Sequence, residues 1–169
     1  MVMIMECFDV VDINRNNLNY TKTRGSEMLN HEYNVGVELW LFNNKKLLLT
    51  QRSVNKSHPL EWEVPGGCSL ASESSTDTLK REIFEEIGIL LAENDFEYLD
   101  TKLYKKQFVD IYVSNKYVNL NNIKLQKEEI SNFKFVSKNE FLKMIENNEI
   151  VKSVTQRYEI IKNKLSINW

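Results

Sequence analysis

Along residues 35–41 the apolar side chains Val35, Val37, Leu39 and Leu41 fall at every second position, the alternation of a strand with one face turned to a core. Asn43-Asn44 interrupts this pattern and residues 46–52 resume it, so the two segments are expected to form an antiparallel hairpin. Residues 96–104 and 108–114 read as a second strand pair and 133–136 as a short final strand. Residues 8–13 read as a first strand, followed by an asparagine-rich, polar, turn-like stretch at 14–19. Between these blocks the period changes: Leu79, Ile83 and Ile87 recur at i, i+4 and i+8, one stripe of a helix. Ser74 with Asp77 three residues later marks the helix start, and Gly88 after the last periodic residue marks a left-handed stop. Residues 138–146 and 153–164 read as two more helices. Strands, a helix, more strands and two further helices predict an α+β fold with helices packed on a mixed sheet.

The neighbouring stripe of the first helix carries the candidate chemistry. At 100° per residue, Glu82, Glu85 and Glu86 come onto one side of it. Carboxylates crowded in this way repel each other unless a cation lies between them, and hard oxygen donors at that spacing suit Mg²⁺, with Mn²⁺ as a substitute. A solvated acidic face balanced by Lys80 and Arg81 is the plain alternative for a Glu-rich helix. The flanking sequence weighs against it. Pro65-Gly66-Gly67 reads as a glycine turn just upstream, with Glu73 and then Arg81-Glu82 following at fixed intervals.

The run from Gly67 through Glu73, Arg81-Glu82-Ile83, Glu85-Glu86 and Gly88-Ile89 resembles the Nudix box, G-x5-E-x7-R-E-U-x-E-E-x-G-U with U a bulky aliphatic residue. Trp62 with Pro65-Gly66-Gly67 is similar to the lead-in found in many Nudix proteins. The resemblance implies the Nudix fold, a three-layer α/β/α sandwich with a mixed β-sheet. It also implies metal-assisted attack of water on a pyrophosphate that joins a nucleoside to another moiety. On the same ground Glu82, Glu85 and Glu86 are expected as metal ligands with the carbonyl of Gly67, and Glu73 and Arg81 as a pair bracing the box loop against the helix. The general base would be a box glutamate, Glu85 or Glu86, or an acid of a later loop, Glu128 or Glu129. Arg52 is the first candidate for a phosphate contact, with Arg24 and Lys22 behind it.

Two other functions compete. The order of segments 9–12, 24–25, 32–34 and 37–52 is similar to a Nudix branch that contains isopentenyl-diphosphate isomerase, and Ser57-His58-Pro59-Leu60 resembles part of that enzyme. Aligning Trp62 with the tryptophan before the isomerase's catalytic cysteine, however, places Gly66 where the thiol belongs, with Cys68 two positions late. Asn34 stands where a metal-binding histidine is expected. A domain that binds a nucleotide metabolite without cleaving it is the other alternative. Degenerate boxes mark that case, and here every box acid is present. Nucleoside di- and triphosphates, nucleotide sugars and dinucleotides all remain open as substrates. The only prolines are Pro59 and Pro65, so the proline that ADP-ribose-specific relatives carry past the box is missing. Tyr104 falls near the spacing of a tyrosine in diadenosine-polyphosphate hydrolases. Trp40, Phe42, Trp62 and Tyr112 suit a base-stacking surface or the core equally.

Composition narrows the partners. A chain of 169 residues, 42% of them hydrophobic, is expected to form one domain over residues 1–169, burying roughly 70% of the unfolded surface. A net charge of −2 offers no electrostatic footprint for bulk nucleic acid, which leaves a small nucleotide-derived molecule as the expected partner and a homodimer as an open option. Cys7 and Cys68 are the only cysteines, and no secretory leader pattern opens the sequence, so a cytoplasmic protein with reduced thiols is expected. No apolar run approaches the roughly 20 residues that span a bilayer.

Overall fold

The computed structural model describes residues 6–166, 168 and 169. In chain order the elements are β1 (Cys7–Val11), β2 (Asn17–Thr23), β3 (Asn34–Asn43), β4 (Lys46–Arg52), β5 (Trp62–Glu63), β6 (Gly66–Cys68), α1 (Ser75–Ile87), β7 (Glu97–Tyr104), β8 (Gln107–Ser114), β9 (Ile130–Val136), α2 (Lys138–Glu146) and α3 (Lys152–Ile161). β1 and β2 form a separate antiparallel ribbon. The main sheet has seven strands in the order β5-β4-β3-β8-β7, with β6 also on β3 and β9 also on β4. It is mixed, because β3 and β8 run parallel while the other pairings are antiparallel.

The hairpin expected at 35–52 is present but opens into a fork. β3 and β4 pair only at Phe42↔Leu47 and Asn43↔Lys46. Beyond that point β4 takes β5, with β9 along its length from Leu47 onward, whereas β3 takes β6. Residues 62–68 therefore thread the open end of the fork, and they lead directly into the loop before α1.

Alternation on β3 divides the core into two layers. Val37, Leu39 and Leu41 meet Leu79, Ile83 and Ile87 of α1 on one face. Trp40 and Phe42 meet Phe141 and Met144 of α2 and Val154, Tyr158 and Ile161 of α3 on the other. Phe141 presents its edge to Trp40 and Tyr158, at centroid separations of 5.9 and 5.0 Å, a favourable ring geometry. The result is the expected α+β, three-layer arrangement.

Two expectations need correction and one open choice is resolved. The polar stretch at 14–19 is a turn only as far as residue 16, where the Asp12 carboxylate accepts the backbone N–H groups of Asn14 and Asn16; from Asn17 the chain becomes β2. β2 is largely exposed, so it carries no apolar alternation from which a strand could be read. Pro65-Gly66-Gly67 bends only at Pro65; its glycines lie in β6, paired with β3. Of the four aromatics considered for base stacking, Trp40, Phe42 and Tyr112 are buried in the core. Lys134 lies over the ring of the fourth, Trp62, 4.2 Å from its centroid.

Candidate active site

α1 is placed by local chemistry at both ends. Ser74 is the N-cap, its hydroxyl accepting from the backbone of Asp77 at 3.1 Å. Gly88 closes the helix at φ 73°, a conformation that costs glycine little. Between the caps, the Leu79-Ile83-Ile87 stripe is fully buried in the sheet. That burial turns the adjacent stripe, Thr78, Glu82 and Glu86, against β6.

Contact with β6 explains its two glycines. A β-carbon on Gly67 would lie 2.2 Å from the carboxyl carbon of Glu82, and one on Gly66 would lie 2.2 Å from the carbonyl oxygen of Val37. At these two glycines the strand is thus sandwiched between the β3 backbone and the Glu82 carboxylate, where a side chain would collide. The N–H of Gly66 donates to Glu86 Oε2 at 3.2 Å.

A single guanidinium ties the box together. Arg81 Nε donates to Glu73 Oε1 at 2.6 Å and Nη2 to Glu73 Oε2 at 3.0 Å, a bidentate charge-assisted pair. Nη2 also reaches the carbonyl of Cys68 at 2.9 Å, while Nη1 donates to Glu82 and Glu85 at 3.0 Å each. Glu73 further accepts from the N–H of Leu70 and the hydroxyl of Thr78. Burial pushes the Glu73 carboxyl up, but these donors, Arg81 foremost, hold it below its ordinary value.

The helix acids differ in setting. Glu82 and Glu86 are buried, whereas the side chain of Glu85 is 49% exposed. Burial raises Glu82 above the ordinary carboxyl value, Arg81 opposing and Glu85 and Glu129 adding to the rise. Burial raises Glu86 well above it, helped by Glu63 and Glu82 and opposed by Lys56. Glu63, on β5, is raised in the same way against the pull of Arg52 and Lys56. Glu63, Glu82 and Glu86 are thus all shifted in the same direction, with burial the first cause at each.

The later acids reach this site through backbone bonds that no short-range signal foretells. The N–H groups of Lys124 and Gln126 donate to the carbonyls of Ile87 and Glu86, docking the loop before β9 onto the end of α1. Lys56 then links the two parts, its Nζ 2.9 Å from Glu129 Oε2 and 3.9 Å from Glu86 Oε1. Glu128, offered with Glu129 as a general base, joins only through its main-chain carbonyl, which accepts from Ser53 Oγ; its side chain is exposed. The structure thus separates two adjacent glutamates that the sequence left equivalent.

Beside the box opens a cavity of about 680 Å³, lined among others by Gly66, Gly67, Arg24, Arg52, Lys56 and Arg157, a size that suits a small-molecule ligand. Arg52 is held at its wall by Glu63, Nη1 lying 2.8 and 2.7 Å from the two oxygens, and by Ser57. Arg24 pairs with Glu6 at 2.6 Å. Lys22, the other secondary phosphate candidate, does not line the cavity; its ammonium is bound to the buried carboxylate of Glu32. Lys56, Glu63, Glu38 and Arg157 were missed in the sequence. Only Glu63, an acid inside the Trp62-to-Gly67 lead-in, had a local signal.

The donor types fit a hard divalent cation: carboxylate oxygens of α1 beside the two glycines of β6. As the side chains stand, no group of three or more His, Cys, Asp or Glu among the described residues is placed to hold a metal ion. Arg81 spans Glu82 and Glu85, and Lys56 faces Glu86. Among the described residues, no helix is long and apolar enough to cross a membrane.

Known proteins agree with this architecture. An uncharacterised Nudix hydrolase of Listeria monocytogenes is 29% identical over 150 residues, spanning 87% of this chain and 89% of its own length. The solved structure of DR0079 from Deinococcus radiodurans superposes with a TM-score of 0.72 at 20% identity, over 87% of this chain and 93% of its own. The NUDIX domain of Shewanella oneidensis NrtR, solved with ADP ribose, reaches 0.64 at 20% identity, over 87% and 94%. At such identities the two structures speak for the fold. The sequence profile of the NUDIX domain covers residues 32–158, from just before β3 into α3 and so across the whole carboxylate site, and the chain belongs to that family.

Proposed function

We propose that this protein is a metal-dependent Nudix hydrolase that cleaves the pyrophosphate bond of a nucleoside diphosphate linked to another moiety. One observation carries the reading: Glu82, Glu85, Glu86 and Glu129 gather with the bare backbone of Gly67 beside a cavity edged by Arg52, Lys56 and Arg24.

Glu82, Glu85, Glu86 and the carbonyl of Gly67 would hold Mg²⁺ or Mn²⁺. Bound there, the ion supplies neutralisation of charge on the phosphoryl oxygens and a lowered pKa for nearby water. Arg52 and Lys56 bind phosphate oxygens from the cavity wall, and Arg24 does so at its rim. Glu129, oriented by Lys56, accepts the proton of the water that attacks phosphorus. The bond to the bridging oxygen breaks, and a nucleoside monophosphate leaves with the remaining phosphorylated group as the second product. Arg81 and Glu73 touch no substrate in this scheme; they keep the β6 loop registered on α1. The bound molecule is a small nucleotide derivative, as in the ADP ribose complex of the Shewanella domain.

The test is a chromatographic screen of nucleoside di- and triphosphates, nucleotide sugars, dinucleotides and isopentenyl diphosphate with Mg²⁺ or Mn²⁺, each with and without chelator. Metal-dependent release of a nucleoside monophosphate is expected. Saturable binding of one compound with no product over hours would replace hydrolysis by binding alone, and isomerisation of isopentenyl diphosphate would overturn the reading.

A further inference from the structure

On the face of the sheet that packs against α3, the cavity floor holds a buried ion pair that plays no part in the scheme above. Glu38 is 3% exposed and Arg157 is 9% exposed. Glu38 Oε2 accepts from Arg157 Nε at 2.7 Å and lies 2.7 Å from Nη2, while Oε1 accepts from the indole of Trp40 at 3.0 Å. The carboxylate is fully engaged, and the guanidinium is fixed along one edge. Its remaining nitrogen, Nη1, has no acceptor among the described residues, although Arg157 lines the cavity.

The surroundings are also cationic. Lys105 and Lys152 stand at the same cavity, both exposed and neither ion-paired among the described residues. The cavity's carboxylates are Glu38 and Glu63, and each is already committed to an arginine. Tyr104 carries the Arg157 guanidinium over its ring, 6.0 Å from the centroid. A clamp holding α3 on the sheet needs only the Glu38 contact. It does not account for the free edge of the guanidinium, whose Nη1 is not among the polar atoms sealed from solvent without a partner and so opens to the cavity, nor for the two lysines that line the same cavity. The register places this group next to the box, because Glu38 of β3 pairs directly with Gly66 of β6.

We propose that Arg157, oriented by Glu38 and flanked by Lys105 and Lys152, binds a phosphate beyond the two that the box engages. The substrate class is then a nucleoside triphosphate or another chain of three phosphates, rather than a nucleotide sugar with a neutral far end. This inference rests on the hydrolase reading for the location of the first two phosphates. Arg157 is a binding residue and Glu38 a positioning residue.

The experiment is calorimetric binding of inorganic tripolyphosphate and pyrophosphate to the full chain with Mg²⁺ in excess. Wild type is expected to bind tripolyphosphate at least about tenfold more tightly, the scale of one added charge-assisted contact. The paired change Glu38→Gln with Arg157→Gln removes both charges together and retains an acceptor for Trp40. It should keep pyrophosphate affinity and bring the ratio close to one. Equal affinities in wild type, or an unchanged ratio in a folded double variant, would overturn the proposal. Should that variant fail to fold, Lys105→Ser with Lys152→Ser, both at exposed positions, should lower the ratio severalfold, and no change there would also overturn it. Failure of the hydrolase reading shows separately, as absence of product in the nucleotide screen, because the binding ratio needs no turnover.

Discussion

Glu85 and Glu86 are neighbours in sequence but differ in energetic setting. Glu86 is buried with its carboxyl held well above the ordinary value, chiefly by desolvation, whereas Glu85 is half exposed. Replacing either by Gln should lower turnover by at least about a hundredfold, the scale of metal-assisted and electrostatic contributions. Glu86→Gln should in addition raise the melting temperature measured without metal, because a buried charge is exchanged for a neutral isostere. Near-normal turnover in both variants would remove the metal role, and a lower melting temperature for Glu86→Gln would show that its charge is well compensated. Cys68 offers a contrast. Its sulfur accepts from the Gln107 amide at 3.1 Å and has no chemical task in the scheme. Cys68→Ser should keep activity within a few-fold in the nucleotide assay, and a large loss without unfolding would reopen a thiol mechanism. At this scale the box acids and the Glu73–Arg81 pair were readable because their spacing is local. Lys56 was not, because a lysine in a polar loop acquires meaning only from Glu86 and Glu129, which lie opposite it in space.

Among the elements, α1 was legible almost to the residue, since a cap, an apolar stripe and a left-handed glycine are each written within a few positions of one another. The cap and the stripe should contribute unequally to stability. Ser74→Ala removes one cap bond and is expected to cost about 1 kcal/mol, whereas Ile83→Ala opens a hole in the fully buried layer and is expected to cost about 2–5 kcal/mol. Denaturant unfolding of the two variants checks this ranking, and comparable losses would mean that the helix is held more by its ends than by its stripe. The less legible elements lack such marks. β2 has no apolar face to alternate. β9 begins at Ile130, three residues before the expected start, because its pairing with β4 carries it through the polar Ser131 and Asn132. α3 opens on Val151 with no side-chain cap.

For the molecule as a whole, several buried carboxylates pin outlying segments to the sheet. Asp110 of β8 accepts two bonds from Arg15, at 2.6 and 2.8 Å, and others from Thr101 and Ser75. Glu32 accepts from Lys22, from Tyr20 at 2.7 Å and from the N–H of Leu29 at 2.6 Å. Burial raises Glu32, but these donors outweigh it and hold the carboxyl at about 2, against an ordinary 4.5. A depressed folded-state value means that the contribution is complete above the ordinary value and is lost as the pH falls from 4.5 towards 2. Stability measured against pH should decline across that window, and Glu32→Gln should flatten the decline while lowering stability at pH 7. An unchanged acid limb in the variant would place the sensitivity at other carboxylates, such as Asp100, which is also held at about 2.

By itself the sequence determined the family, the limits of α1, the β7–β8 pair, the turn that joins β3 to β4 and the identity of the box acids, because each depends on contacts or periodicities spanning only a few residues. Tertiary structure decided which of two adjacent glutamates faces the helix acids, which lysine joins them, and how Glu38 and Arg157, 119 positions apart, become one buried pair. The physical reason is that a carboxylate or guanidinium carries the same charge wherever it stands. Its effect depends on what surrounds it, and for these residues the surroundings are assembled by the fork between β3 and β4 and by the docking of the loop before β9 onto α1.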